Sequence, residues 1–239
     1  MRPRRRWPKQ TDRFNKLFYQ RNYIKLGSDN VILPPDEELK VLLENNFEGH
    51  HRKLGQRLEA VQTRNEGGRL VVFGANWGYE VFQFRKAGYE AMGFEVSQPR
   101  ADYARDRLEC PVFHEREKVL GEKPFDIFYS SHTFEHLPDP SIGFSFAEEA
   151  LAPGGWAVIL VPNCGGKDAR EQGLGWGPFS SSFHPMSYTA DFFKAALPRH
   201  GFENILIYTR PYDIEQINRR EPNGNEDGEE LLVFAQRKG

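Results

Sequence analysis

The chain predicts an α/β fold: a doubly wound, mostly parallel sheet of seven strands with an antiparallel edge hairpin and an N-terminal helical extension. Three observations predict it. From residue 67 onward, strand-like apolar runs alternate with helical stretches, the pattern of a parallel sheet covered on both faces. The stretch VVFGANWG at positions 71–78 runs a strand into a glycine turn and then into a helix. The last two strand-like runs are joined by a charged segment, Ile214 to Glu230, that contains Pro222-Asn223-Gly224-Asn225 and no helical pattern, which implies a long-looped antiparallel pair.

The elements follow in order. Residues 1 to about 35 are polar, basic at first (Arg2, Arg4, Arg5, Arg6, Lys9) and aromatic later (Phe14, Phe18, Tyr19, Tyr23), and they end at Pro34-Pro35. The basic part reads as a solvated tail, the aromatic part as a segment that packs down. From Asp36 to about Thr63, Leu39, Leu42, Leu43, Phe47, Leu54, Leu58 and Val61 recur at mostly helical spacing, with Gly49 as a break, so one long or two short amphipathic helices are expected. Residues 1–66 thus form an arm and helical cap, and residues 67–239 the main domain. Strands are expected at Arg69–Phe73, Ala91–Val96, Pro111–Phe113, Phe125–Tyr129, Trp156–Val161, Asn204–Tyr208 and Leu231–Ala235, with helices at Tyr79–Ala87 and near Ala190–Leu197 among those between them. Leu151-Ala152-Pro153-Gly154-Gly155 ends a helix and turns the chain into a buried strand. Residues 162–188 are glycine-rich, carry Trp176 and Phe179, and lie beyond a strand's carboxyl end, where long loops act as lids.

Composition narrows the function. A chain of 239 residues suits one α/β domain with additions, and a net charge of −2 argues against electrostatic binding of nucleic acid or anionic membrane by the molecule as a whole. No segment approaches the roughly 20 apolar residues of a membrane helix. The N-terminus has charge but no apolar run behind it, so no secretory signal is expected. Two separated cysteines, Cys110 and Cys164, indicate neither a disulfide framework nor a zinc site, and reduced thiols fit a cytoplasmic location.

In open α/β sheets, ligands bind at the carboxyl ends of the strands where the strand order reverses. Gly74 permits a backbone geometry closed to other residues, Gly78 permits a close approach at the helix start, and Glu95 ends the second strand where a carboxylate can accept two hydrogen bonds from a ribose diol. A dinucleotide loop would read G-x-G-x-x-G, which Gly74, Asn76, Gly78 and Val81 do not fit.

Five stretches in order, VVFGANWGY, GFEVSQPRADYAR, FDIFYSSHTFEHLPDP, EEALAPGGWAVILVPN and HPMSYTADFFKAALPRHGF, resemble the class I S-adenosylmethionine-dependent methyltransferases, in particular their small-molecule and sugar branch, over roughly Gly67 to Phe202. The resemblance implies a Rossmann-like fold and S-adenosylmethionine as cofactor, with S-adenosylhomocysteine as product. It places cofactor contacts at Phe73, Gly74, Ala75, Asn76, Trp77 and Gly78, at Glu95 and Val96, at His114, and at Ser130, Ser131 and His132 near the methionine end. Two departures stand out. Val72 replaces the family's acidic residue, and Asn76 its central glycine; Asn is the non-glycine residue most tolerant of positive φ.

Methyl transfer from a sulfonium is an in-line displacement that depends mainly on alignment, but an oxygen nucleophile must also lose a proton. Histidine is the natural acceptor at neutral pH, which makes His136 and His184 the candidate catalytic bases. His132-x-x-Glu135-His136 with His184 also has the residue types of a metal site, while Pro138 and Pro140 leave little room for a helix there; a structural role remains open for these histidines too, and no metal is assigned. The expected partner is a small-molecule or saccharide acceptor. A non-catalytic relative, motivated by Val72 and Asn76, and an RNA methyltransferase, motivated by the basic arm, are the alternatives.

Overall fold

The computed structural model describes residues 33–181, 184–221, 224 and 226–239. The basic tail and the aromatics expected to pack down lie outside these residues. The cap is two short helices, α1 (Asp36–Glu44) and α2 (Gln56–Gln62). Between them Asn46, Phe47 and Gly49 all take positive φ, so the break begins just before the glycine. Phe47, fully buried against Trp77, Tyr79 and Phe82, ties the cap to the main core.

The sheet comprises β1 (Gly68–Phe73), β2 (Tyr89–Phe94), β3 (Val112–Phe113), β4 (Phe125–Ser131), β5 (Leu151–Pro162), β6 (Phe202–Thr209) and β7 (Glu230–Arg237). Their order is β3-β2-β1-β4-β5-β7-β6, parallel through β5 and antiparallel where β7 sits between β5 and β6. The order reverses between β1 and β4, which puts the turn after β1 at the switch point. Helices α3 (Tyr79–Lys86), α4 (Gln98–Leu108), α5 (Arg116–Leu120) and α6 (Ser141–Ala150) provide the crossovers. Strand alternation sends Leu70, Val72, Ile127 and Tyr129 to one core, shared with α3, α4 and the cap; Val71, Phe73 and Phe128 go to the other, shared with α6.

Three expectations change. Leu151–Gly155 does follow a helix, which ends at Ala150, but it already belongs to β5: Gly154 has φ +79°, and the β4–β5 register shifts between Phe125 and Ile127, so the segment is a bulge within the strand. Residues 162–188 are not one long loop, because α7 (Lys167–Gln172), a 3₁₀ turn (Gly173–Gly175) and α8 (Gly177–Ser180) lie within it, before α9 (Ala190–Ala196). The link between β6 and β7 does contain a helix, α10 (Ile214–Arg219). Asp213 caps it by accepting from the Gln216 N–H at 3.0 Å, and Ile217 anchors it in the core. A single buried apolar residue in six is too little periodicity to read from sequence. The antiparallel pairing itself is as expected.

Candidate functional site

The turn after β1 is held by its neighbours. Gly74 has φ +81° and Gly78 φ +88°. A Cβ on Gly74 would lie 2.1 Å from Thr133 Oγ1, and one on Gly78 2.7 Å from Ala104 Cβ. Gly78 therefore admits a close approach of α4, while Gly74 brings the turn against the segment that follows β4. Asn76 has φ 51°, the left-handed conformation that its side chain tolerates. Its N–H donates to Glu95 Oε2 at 2.8 Å, and its side-chain oxygen accepts from Arg100.

Glu95 is buried, and its other oxygen accepts from the Ser97 N–H at 2.8 Å. Burial pushes its pKa up, against the pull of Arg100 and these two N–H groups. Each carboxylate oxygen still has a second lone pair. Ala75 is buried beneath the turn and Phe73 packs into the α6-side core. Trp77 contributes only backbone to the turn, since its indole is 1% exposed among Phe47, Tyr79 and Tyr103. Val96 is half-buried beside Glu95, and His114 lies past β3 with Nδ1 3.2 Å from Glu115.

The end of β4 divides its residues between the two faces. Ser130 Oγ donates to the Phe73 carbonyl at 3.2 Å and so joins β4 to β1. Ser131 faces the cap, where Arg57 Nη1 donates to its Oγ at 3.4 Å. His132, with φ 49°, stands between two carboxylates: Nε2 is 2.5 Å from Glu230 and Nδ1 3.3 Å from Glu135. Burial opposes its charge, but the hydrogen bonds to Glu135 and Glu230 prevail and raise its pKa to about 9; the ring is 41% exposed, so water screens part of this attraction. His132 is thus a cation at neutral pH and a poor proton acceptor.

Arg57, Glu230, Tyr212 and Glu80 complete a cluster that sequence reading missed. Arg57 Nη2 lies 2.7 Å from Glu230 Oε2, and the Tyr212 hydroxyl donates to Glu230 Oε1. Burial disfavours the Glu230 charge, but His132 and Arg57 outweigh it and hold the pKa at about 2. Glu80, on the first turn of α3, is 2% exposed, and its Oε1 has no hydrogen-bond partner. Burial raises its pKa to about 7 against the opposing charges of Arg57 and His132. Val72, where the acidic residue was expected, is fully buried and pairs with Tyr129, whose buried hydroxyl is also unpartnered.

Beyond Thr133, a 3₁₀ turn (Phe134–His136) carries Glu135 and His136. The His136 and His184 rings meet edge to face at 4.7 Å. The segment carrying His184 is fixed to this turn: Met186 N–H donates to the Glu135 carbonyl at 3.4 Å and Tyr188 OH to the Phe134 carbonyl at 3.0 Å. Burial, with His136 alongside, lowers the His184 pKa, so this imidazole is neutral at pH 7.

The switch point thus brings the positive-φ turn after β1 against the segment after β4 that carries the histidine pair. No described helix is long and apolar enough to cross a membrane. A family model described as a methyltransferase domain matches residues 46–207. No curated protein sequence matches. Among solved structures, an S-adenosylmethionine-dependent methyltransferase from Thermotoga maritima is similar at 19% identity and TM-score 0.59, over 85% of this chain and 96% of that one. One from Archaeoglobus fulgidus reaches 18% and 0.58, over 83% and 99%. Haemonchus contortus phosphoethanolamine N-methyltransferase 2, solved with phosphomonomethylethanolamine and S-adenosylhomocysteine, reaches 13% and 0.59, over 92% of this chain and 60% of its own. The matched domain and the strand order agree, and the chain belongs to the class I S-adenosylmethionine-dependent methyltransferases.

Proposed function

We propose that the protein transfers the methyl group of S-adenosylmethionine to an oxygen of a small molecule or saccharide, with His136 and His184 as the catalytic pair. The observation that carries this reading is the His184 ring against His136, on a segment whose Thr133 packs closely against Gly74 in the turn after β1. The residues fit the cofactor: buried polar atoms without partners, Glu80 Oε1 on the helix that follows β1 and Tyr129 OH near the carboxyl end of β4, are ones that a zwitterionic ligand would satisfy.

Glu95 and the turn from Phe73 to Gly78 hold the ribose, Val96 and His114 flank the adenine, and Ser130, Ser131 and His132 border the methionine end. The buried Glu80 carboxylate stands in for the acidic group lost at Val72 and receives the cofactor's ammonium. Arg57 and the His132 cation offer positive charge to its carboxylate. An acceptor oxygen attacks the methyl carbon, the carbon–sulfur pair stays on sulfur to give a neutral thioether, and the acceptor proton leaves on the histidine side.

A methyl-transfer screen against glycans and small hydroxylated compounds tests the reading. On the acceptor it identifies, His184→Ala should lower kcat by about 10²–10⁴-fold with cofactor affinity kept. Undiminished kcat in both His184→Ala and His136→Ala would refute the pair.

A further inference from the structure

We propose that Glu135, His136 and His184 form a binding site for a divalent transition-metal ion, which also faces the acceptor. Their ligand atoms all lie within 4.8 Å of one another. One carboxylate and two imidazoles are the borderline N/O donor set that Zn²⁺, Co²⁺ and Mn²⁺ accept, with coordination positions left for a further ligand.

The second observation is independent of this spacing. Glu135 is 2% exposed, and its Oε2 is buried with no hydrogen-bond partner. Leaving a carboxylate oxygen unmatched costs free energy, and an ion bound there would recover it. Its other oxygen is already taken, because His132 Nδ1 stands 3.3 Å from Oε1 and holds the carboxylate in place. His184 is fixed in the same manner. Its Nδ1 lies 3.1 Å from the Pro178 carbonyl, which can only accept; Nδ1 therefore carries the hydrogen and the lone pair sits on Nε2. Such outer partners orient metal ligands in known sites. The two hydrogen bonds that join residues 186 and 188 to the 3₁₀ turn set the distance between the ligands before any ion arrives.

The consequence for chemistry rests on the proposed function. With the ion bound, His136 and His184 would serve the reaction as its ligands, and as free bases only in its absence. A bound ion would supply Lewis-acid chemistry, lowering the pKa of an acceptor oxygen so that its proton could pass to solvent as the oxygen's electron pair attacks the methyl carbon.

Metal uptake tests the site without substrate or cofactor. The full chain, stripped with a chelator and dialysed against Zn²⁺ or Co²⁺, should retain one equivalent, and the Co²⁺ form should show visible absorption from nitrogen and oxygen ligation. Glu135→Gln and the double variant His136→Ala/His184→Ala should each bind at least tenfold more weakly, with unchanged circular dichroism. His50 and His51, whose ring centroids lie 4.1 Å apart, supply the control for adventitious binding. Failure of the wild-type chain to retain metal would overturn the proposal, as would uptake that survives the double variant and disappears in His50→Ala/His51→Ala. Cofactor binding, measured separately by calorimetry, keeps such a failure distinct from a failure of the methyltransferase reading.

Discussion

Two regions at the carboxyl ends of the strands are built on different principles. The proposed cofactor side, from Phe73 to Ser97, is a contiguous piece of chain whose shape comes from backbone: positive φ at Gly74, Asn76 and Gly78, and two N–H groups donating to one carboxylate. The proposed methionine side is a cluster of polar and charged groups gathered from Arg57, Glu80, Ser131, Tyr212 and Glu230, which share no local pattern and meet only when the cap, the sheet and the β6–β7 link have all formed. A backbone site tolerates changes of side chain that preserve φ; a buried charge cluster tolerates almost none.

The largest effect should come from breaking the cluster at its cation. Arg57→Ala leaves Glu230 short of a partner, and urea unfolding should show a loss of about 3–5 kcal/mol. A loss below about 1 kcal/mol would mean that the pair is effectively solvated.

The acid limb of stability tests the same cluster. The folded pKa of Glu230, about 2, lies below its ordinary value of 4.5, so its contribution is complete above pH 4.5 and disappears as pH falls toward 2. Linkage puts this contribution at roughly 3 kcal/mol. Across that window Glu230→Gln should flatten the pH dependence of stability relative to wild type; parallel curves would contradict the assignment.

A smaller, more specific effect separates the ends of the cofactor. Glu80→Gln should weaken S-adenosylhomocysteine binding by about tenfold, as loss of a charged hydrogen bond does, and leave methylthioadenosine, which lacks the amino-acid part, unaffected. Equal losses for both ligands would show that Glu80 acts on the fold and not on the ammonium.

The smallest changes fall on the backbone side. Asn76→Val forces a β-branched residue into φ 51° and should cost about 1–2 kcal/mol of stability, while Asn76→Gly should cost almost nothing. Similar costs for both would mean that the Asn76 side chain, through Arg100, matters more than its φ.

This contrast also explains what could be read in the sequence. Strand alternation, the glycine turn and Glu95 are local signals, and the strand order and Asn76 geometry agree with them. His136 and His184 stand 48 positions apart, and their rings meet. Arg57 and Tyr212 carried no such signal, because a lone arginine on an amphipathic helix reads as a solvated face. Glu80 was equally silent: a glutamate in a helix's first turn is ordinary, and only its burial sets it apart. Helix α10 escaped because its one buried residue gives no periodicity.

The central claim, that the turn from Phe73 to Gly78 and Glu95 bind S-adenosylmethionine, is tested most directly by calorimetric titration of the cofactor into the wild-type chain and into Glu95→Ala. One-to-one binding by wild type and an affinity at least about 100-fold lower in the variant, the loss of two charge-assisted hydrogen bonds, is the predicted result. No heat of binding to wild type at millimolar cofactor, or the same affinity in both proteins, would contradict it.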